Sequence, residues 1–147
     1  MSRAFPLQIL MDQASSRNEA TAARLAEAGA RLAEAEKQLD QLLGYRTDYQ
    51  ARFRSAVAAG TDSAGWRNFH EFMDRLDAAI AQQREAVTLA ASVQEGVRRE
   101  WIAEQNRIKA YDTLAQRHRG AERRREARIE QREQDEHSLK IHAQHRR

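Results

Sequence analysis

The sequence predicts an all-α protein, a long antiparallel two-helix coiled-coil hairpin with an overhanging C-terminal helix. Three observations predict it: a heptad stripe, a single glycine-containing break in that stripe, and a coiled-coil composition. Alternating steps of four and three residues from Leu7 reach Met11, Ala14, Asn18, Thr21, Leu25, Ala28, Leu32, Ala35, Leu39, Leu42, Arg46, Tyr49, Phe53 and Ala56. The pattern breaks at Ala-Gly-Thr-Asp-Ser-Ala-Gly (59–65) and restarts at Trp66, running through Phe69, Met73, Leu76, Ile80 and Val87 to Ala115. A sustained 3.5-residue period keeps one helix face turned toward a supercoiling partner. Two such runs joined by a short loop fold back on each other.

Composition agrees. Charged residues make up 32% of the 147 and aromatics 6%, while the one proline, Pro6, precedes the repeat. That profile is typical of long paired helices. A two-helix seam buries too little to enclose a substrate pocket. Residues 1–147 are therefore read as one coiled-coil hairpin: helix 1 about 7–58, loop 59–65, helix 2 about 66–139 with its start near Ser63 or Ala64, and a disordered basic tail 140–147.

Each element has a local reason. Pro6 suits a first-turn position, where its missing N–H costs little. Gly60 and Gly65, with Thr61, Asp62 and Ser63, supply turn and cap chemistry. With the loop centred near Asp62, facing residue numbers add to about 124 (an inference from helical geometry), which sets Leu7 against Arg117. Beyond that point the seam positions His118, Glu122, Arg125, Ile129, Arg132, Glu136 and Leu139 are mostly polar, as expected of an arm not built for burial in its own chain. The open end, with Asn18, Thr21 and Glu104 on its seam, should be the less stable part.

Several function classes fall away. There is no cysteine, so no disulfide. No apolar run approaches the roughly 18 residues of a membrane span, and the first eleven residues lack a signal-peptide core. The expected location is cytoplasmic, with membrane association only peripheral and through partners. The formal charge of +3 is concentrated in residues 117–147, too weak a signal for nucleic-acid binding. No catalytic constellation, cofactor motif or convergent metal set is apparent; His137, His142 and His145 read as a solvated tail. The sequence is read as a non-enzyme.

Two constellations remain. Beside the seam lies a second line, Gln38, Leu42, Tyr45 and Tyr49 on helix 1 and Phe72, Leu76, Ala79 and Gln83 on helix 2, all at 4-3-4 spacing. Widening the apolar arc exposes Tyr45 and Phe72 in part. These are either interface anchors or caps that stiffen the loop. The second constellation is the segment 117–132, where Glu122, Glu126 and Glu130 follow one i,i+4 line and Arg124, Arg128 and Arg132 another. Like charges at that spacing disfavour an isolated helix, as does Gly120. The segment is either a partner-facing surface or a solvated arm.

The stretches Leu-Leu-Gly-Tyr-Arg-Thr-Asp-Tyr (42–49), Trp66 through Arg84, Trp101, and Arg-Ile-Glu-Gln-Arg-Glu-Gln-Asp-Glu (128–136) resemble the FliJ family, the soluble stalk component of the bacterial flagellar type III export apparatus. The resemblance implies roles in flagellum biogenesis, motility and protein transport, with the open end in the ring of the export ATPase FliI. It implies that the hairpin end contacts the export-gate protein FlhA, and that the export chaperones FlgN and FliT are further partners. On it, the gate-binding residues are Gln38, Leu42, Tyr45, Tyr49, Phe72, Leu76, Ala79 and Gln83. The ATPase-binding residues are Arg117, Arg124, Arg128, Arg132, Asp135 and Glu136. One departure stands out: His137 follows Asp135-Glu136 where the family usually has an apolar residue. The competing readings are an injectisome stalk homologue and a homodimeric coiled-coil adaptor for acidic surfaces.

Overall fold

The structure is a computed structural model that describes residues 3–146. Two α-helices account for almost all of them, α1 at Gln8–Ala59 and α2 at Ser63–His145, paired antiparallel as a helical hairpin with no strand among the described residues. The chain divides into two compact units. One takes in Ala20–Trp101; the other combines the start of the chain through Glu19 with Ile102 onward.

The turn between the helices is tighter than the sequence suggests, three residues instead of seven. Gly60 ends α1 in the left-handed conformation, φ 95°, and its N–H donates to the Val57 carbonyl at 3.1 Å. Glycine takes that backbone without steric cost. Asp62 then caps α2: its Oδ1 accepts from the Gly65 N–H at 2.8 Å, and its carbonyl accepts from the Trp66 N–H at 3.1 Å. A side chain at Gly65 would meet the Thr61 hydroxyl at 2.5 Å, so this position holds the loop close to the new helix. With both caps satisfied, the helices extend toward each other and absorb Ala59 and residues 63–65. At the other end of α1, Pro6 lies in the turn that precedes the helix, and the Gln8 N–H donates to the Phe5 carbonyl at 3.1 Å.

Within Ala20–Trp101 the register is regular. Phe53 stacks on Phe69, Arg46 pairs with Asp77, Gln38 meets Gln83, and Arg24 pairs with Glu100, so facing residue numbers add to between 121 and 124. The core of this unit is Met73, Leu76 and Ile80, with Leu39, Leu42, Leu43, Tyr49 and Phe69 packed against it. Toward the loop it becomes aromatic. Phe53 and Phe69 stack with centroids 3.7 Å apart, Tyr49 lies 4.2 Å from Phe72, and Trp66 sits 4.5 Å from His70. Offset and tilted ring pairs add to the gain from area burial.

The second unit uses different chemistry. Ala115 is its buried apolar residue; Asn18, Glu104 and Glu122 are its buried polar ones. Gln105 Nε2 donates to Asn18 Oδ1 across the helix pair. Here the structure corrects an expectation, because the seam does not stop at Arg117. Residues 3–6, ahead of α1, continue along α2: the Arg3 N–H donates to Glu122 Oε2 at 3.3 Å, and the Phe5 ring lies 5.7 Å from that of His118. The Arg3 carbonyl is 2.8 Å from His118 Nε2, and Arg125 reaches Glu122 at 3.6 Å. Backbone outside a helix can cover more of its neighbour per residue than a helix does, so residues 3–6 reach both His118 and Glu122. From Ala127 onward every described side chain is exposed. The helix nevertheless persists to His145, through most of the stretch expected to be a disordered tail; no glycine or proline follows Gly120 to end it.

Candidate protein-binding surfaces

On the Ala20–Trp101 unit, the eight residues of the second apolar line sort into two rows. Leu42, Tyr49, Leu76 and Gln83 occupy seam positions and are buried or half-buried. Gln38, Tyr45, Phe72 and Ala79 flank them on one side. Tyr45 is 61% exposed and Phe72 37%. The two rows are joined by direct contacts: Tyr49 carries Phe72, and Gln83 Nε2 donates to the Ala35 carbonyl at 2.9 Å and to Gln38 Oε1 at 3.3 Å. Between Tyr45 and Phe72 lies an open pocket of about 250 Å³ edged by Asp48 and Arg52. The seam row is rigid because it is core; the flank row rests on it with its rings turned outward. Such a face presents aromatic area whose supporting side chains are already ordered, which lowers the entropic cost of docking.

On the other unit, Arg117, Arg124, Arg128, Arg132, Asp135 and Glu136 are all exposed. Asp135 Oδ1 accepts from Gln131 Nε2 at 3.1 Å, one turn away. Glu122 does not belong to the outward acidic line with Glu126 and Glu130, because it faces inward and is held by Arg3 and Arg125. Removing it from that line relieves one of the like-charge spacings that made the segment look poor as a helix. Ile129, Leu139 and Ile141 are exposed apolar residues on this arm.

One feature escaped the sequence reading. Midway along the Ala20–Trp101 unit a groove of about 390 Å³ opens between Arg24 and Arg31 on α1 and Ala86, Leu89 and Val93 on α2. The signal was present, since Ala86 and Val93 repeat the heptad position of Phe72 and Ala79. Ala28 and Ala90 also line the groove. Among the described residues, no helix is long and apolar enough to cross a membrane, and no cluster of three His, Asp or Glu could hold a metal ion.

The chain is similar to known proteins along nearly its whole length. The Flagellar FliJ protein family matches residues 2–147. A Flagellar FliJ protein of Escherichia coli (strain K12) is 30% identical over 130 residues, 88% of each chain. A Flagellar FliJ protein of Salmonella typhi is 28% identical over 136 residues, 92% of each chain. No solved structure matches the chain.

Proposed function

Given that this chain belongs to the Flagellar FliJ protein family, we propose that it works in flagellar protein export as a non-catalytic coupling stalk. It acts as one coiled-coil module, monomeric when isolated, at the cytoplasmic side of the cell membrane through its partners. The hairpin-end face of Gln38, Leu42, Tyr45, Tyr49, Phe72, Leu76, Ala79 and Gln83 binds the export-gate protein FlhA. The arm carrying Arg117, Arg124, Arg128, Arg132, Asp135 and Glu136 binds the export ATPase FliI. The chain also handles the export chaperones FlgN and FliT.

The observation that carries this reading is the outward-turned pair Tyr45 and Phe72, seated on a packed core that does not need them for closure. Rings held in the open by an ordered base favour a recognition role over a purely structural one. The test is Tyr45→Ala with Phe72→Ala. Motility and gate-protein binding fall by an order of magnitude or more, as for interface anchors, while thermal melting changes little. If the double variant unfolds and binding tracks stability, the rings are core and the reading fails. At the other surface, Arg124→Glu with Arg128→Glu lowers stimulation of ATP hydrolysis by the export ATPase, more so at low salt, and leaves gate binding intact. Unchanged stimulation would reduce the arm to a solvated extension.

A further inference from the structure

We propose that residues 3–6 are an autoinhibitory strap. In the free chain they cover the inner face of the partner-binding arm at His118, Glu122 and Arg125, and a helix of the export ATPase displaces them when it docks. The inference rests on the reading of that arm as the ATPase-binding surface and adds how access to it is controlled.

The strap is held mainly through its backbone. The Arg3 N–H donates to Glu122 Oε2 at 3.3 Å, and the Arg3 carbonyl accepts from His118 Nε2 at 2.8 Å. One side chain adds to these bonds, the Phe5 ring, tilted at 53° to that of His118. What lies beneath is incompletely satisfied. Arg125 Nε is buried without a hydrogen-bond partner, and Arg125 stands 3.6 Å from Glu122, which is 9% exposed. Charged groups buried with bonds unmade cost free energy that the cover must offset. Beside the strap an open cavity of about 380 Å³ remains, bounded by Arg3, Phe5, His118, Arg119 and Glu126. A cover that packs loosely over half-satisfied charges is held by a small net free energy, and a better-fitting segment removes it.

Place on the seam says what fits better. His118, Glu122 and Arg125 begin the heptad line that continues through Ile129, Arg132, Glu136 and Leu139. From Ala127 onward that line is exposed while α2 stays helical. Lifting the strap extends the free seam from Ile129 back to His118, about 16 Å at helical rise. Positions at heptad spacing are read by another helix. Such a helix can supply an acceptor for Arg125 as well as a donor for Glu122, whereas the strap offers one N–H to Glu122 and leaves Arg125 Nε bare. While the strap is closed, the inner seam is denied to unrelated helices, and apparent affinity for the ATPase is lowered by the closed fraction.

The chain has no cysteine, so single nitroxide labels can be placed at Ala4→Cys on the strap and Gln134→Cys on the arm. In the free chain the label at 4 is slow and the label at 134 is fast. Adding the export ATPase to the full chain reverses both. A label at 4 that is fast from the start, or that stays slow while 134 is immobilised, overturns the inference and leaves the arm reading standing. No change at 134 overturns both. In a second measurement, Phe5→Gly with Pro6→Gly favours the released strap through backbone entropy. It lowers the concentration of the chain that gives half-maximal stimulation of ATP hydrolysis about three- to tenfold, with hydrogen exchange at residues 73–80 as in the parent. A raised half-maximal concentration would make the strap part of the binding surface, and an unchanged one would make it a structural edge; either overturns the inference. The two labels decide the matter even if this variant does not fold.

Discussion

The two units of this protein close the same two helices by different means. In Ala20–Trp101 the buried side chains are Ala28, Met73, Leu76, Ile80 and Thr21, backed by stacked aromatics. In the other unit they are Ala115, Asn18, Glu104 and Glu122. Apolar seams derive their stability from area removed from water and tolerate neighbouring registers of similar fit. Polar seams contribute less, because each buried group must recover the hydrogen bonds it lost to water, but they accept only the register that pairs them. The difference teaches a division of labour in which one unit supplies stability and the other specificity.

The sharpest way to break that comparison is a cavity in the apolar seam. Leu76→Ala removes a buried side chain from the middle of the Met73–Ile80 cluster and should cost about 2–4 kcal/mol, read from chemical denaturation. A cost below about 1 kcal/mol would mean the seam collapses around the gap and is not the main source of stability.

A second substitution sharpens the other half. Asn18→Leu with Gln105→Leu replaces a hydrogen-bonded pair by apolar residues. It should raise stability by about 1 kcal/mol while weakening specification, as with other buried polar pairs. Thermal melting would rise, and sedimentation would detect associated species absent from the parent. Lower stability with unchanged mass would show that the pair contributes stability instead of register.

The smallest effect is local. Phe5→Ala removes the ring that lies against His118 and should cost about 1 kcal/mol or less. Its consequence should be confined to hydrogen exchange: faster around residues 118–125, unchanged around residues 73–80. Protection lost equally in both stretches would mean the two seams open as a single cooperative body.

Much of this was legible in the chain itself, for a physical reason. A repeat of 3.5 residues leaves one face for pairing, so Met73, Leu76 and Ile80 on α2, and Thr21 and Ala28 on α1, were placed on the seam before any coordinates. Loop position then set the register, because a short turn leaves an antiparallel pair almost no freedom to slide. Even the polar residues Asn18 and Glu104 were placed correctly, since periodicity is blind to chemistry.

Tertiary structure alone decided three further matters. Residues 3–6 carry no period, so nothing in the sequence said they would run along α2 and bring Glu122 under cover. Tyr45 and Tyr49 are chemically alike and four residues apart. Only packing against the Met73, Leu76 and Ile80 cluster determines that Tyr49 is half-buried while Tyr45 is 61% exposed. The mid-hairpin groove depends on small residues contributed by both helices, Ala28 and Ala90 among those that line it. Local pattern reports which face a residue occupies; how deep that face lies is set by its neighbour across the seam, some sixty residues away in the chain.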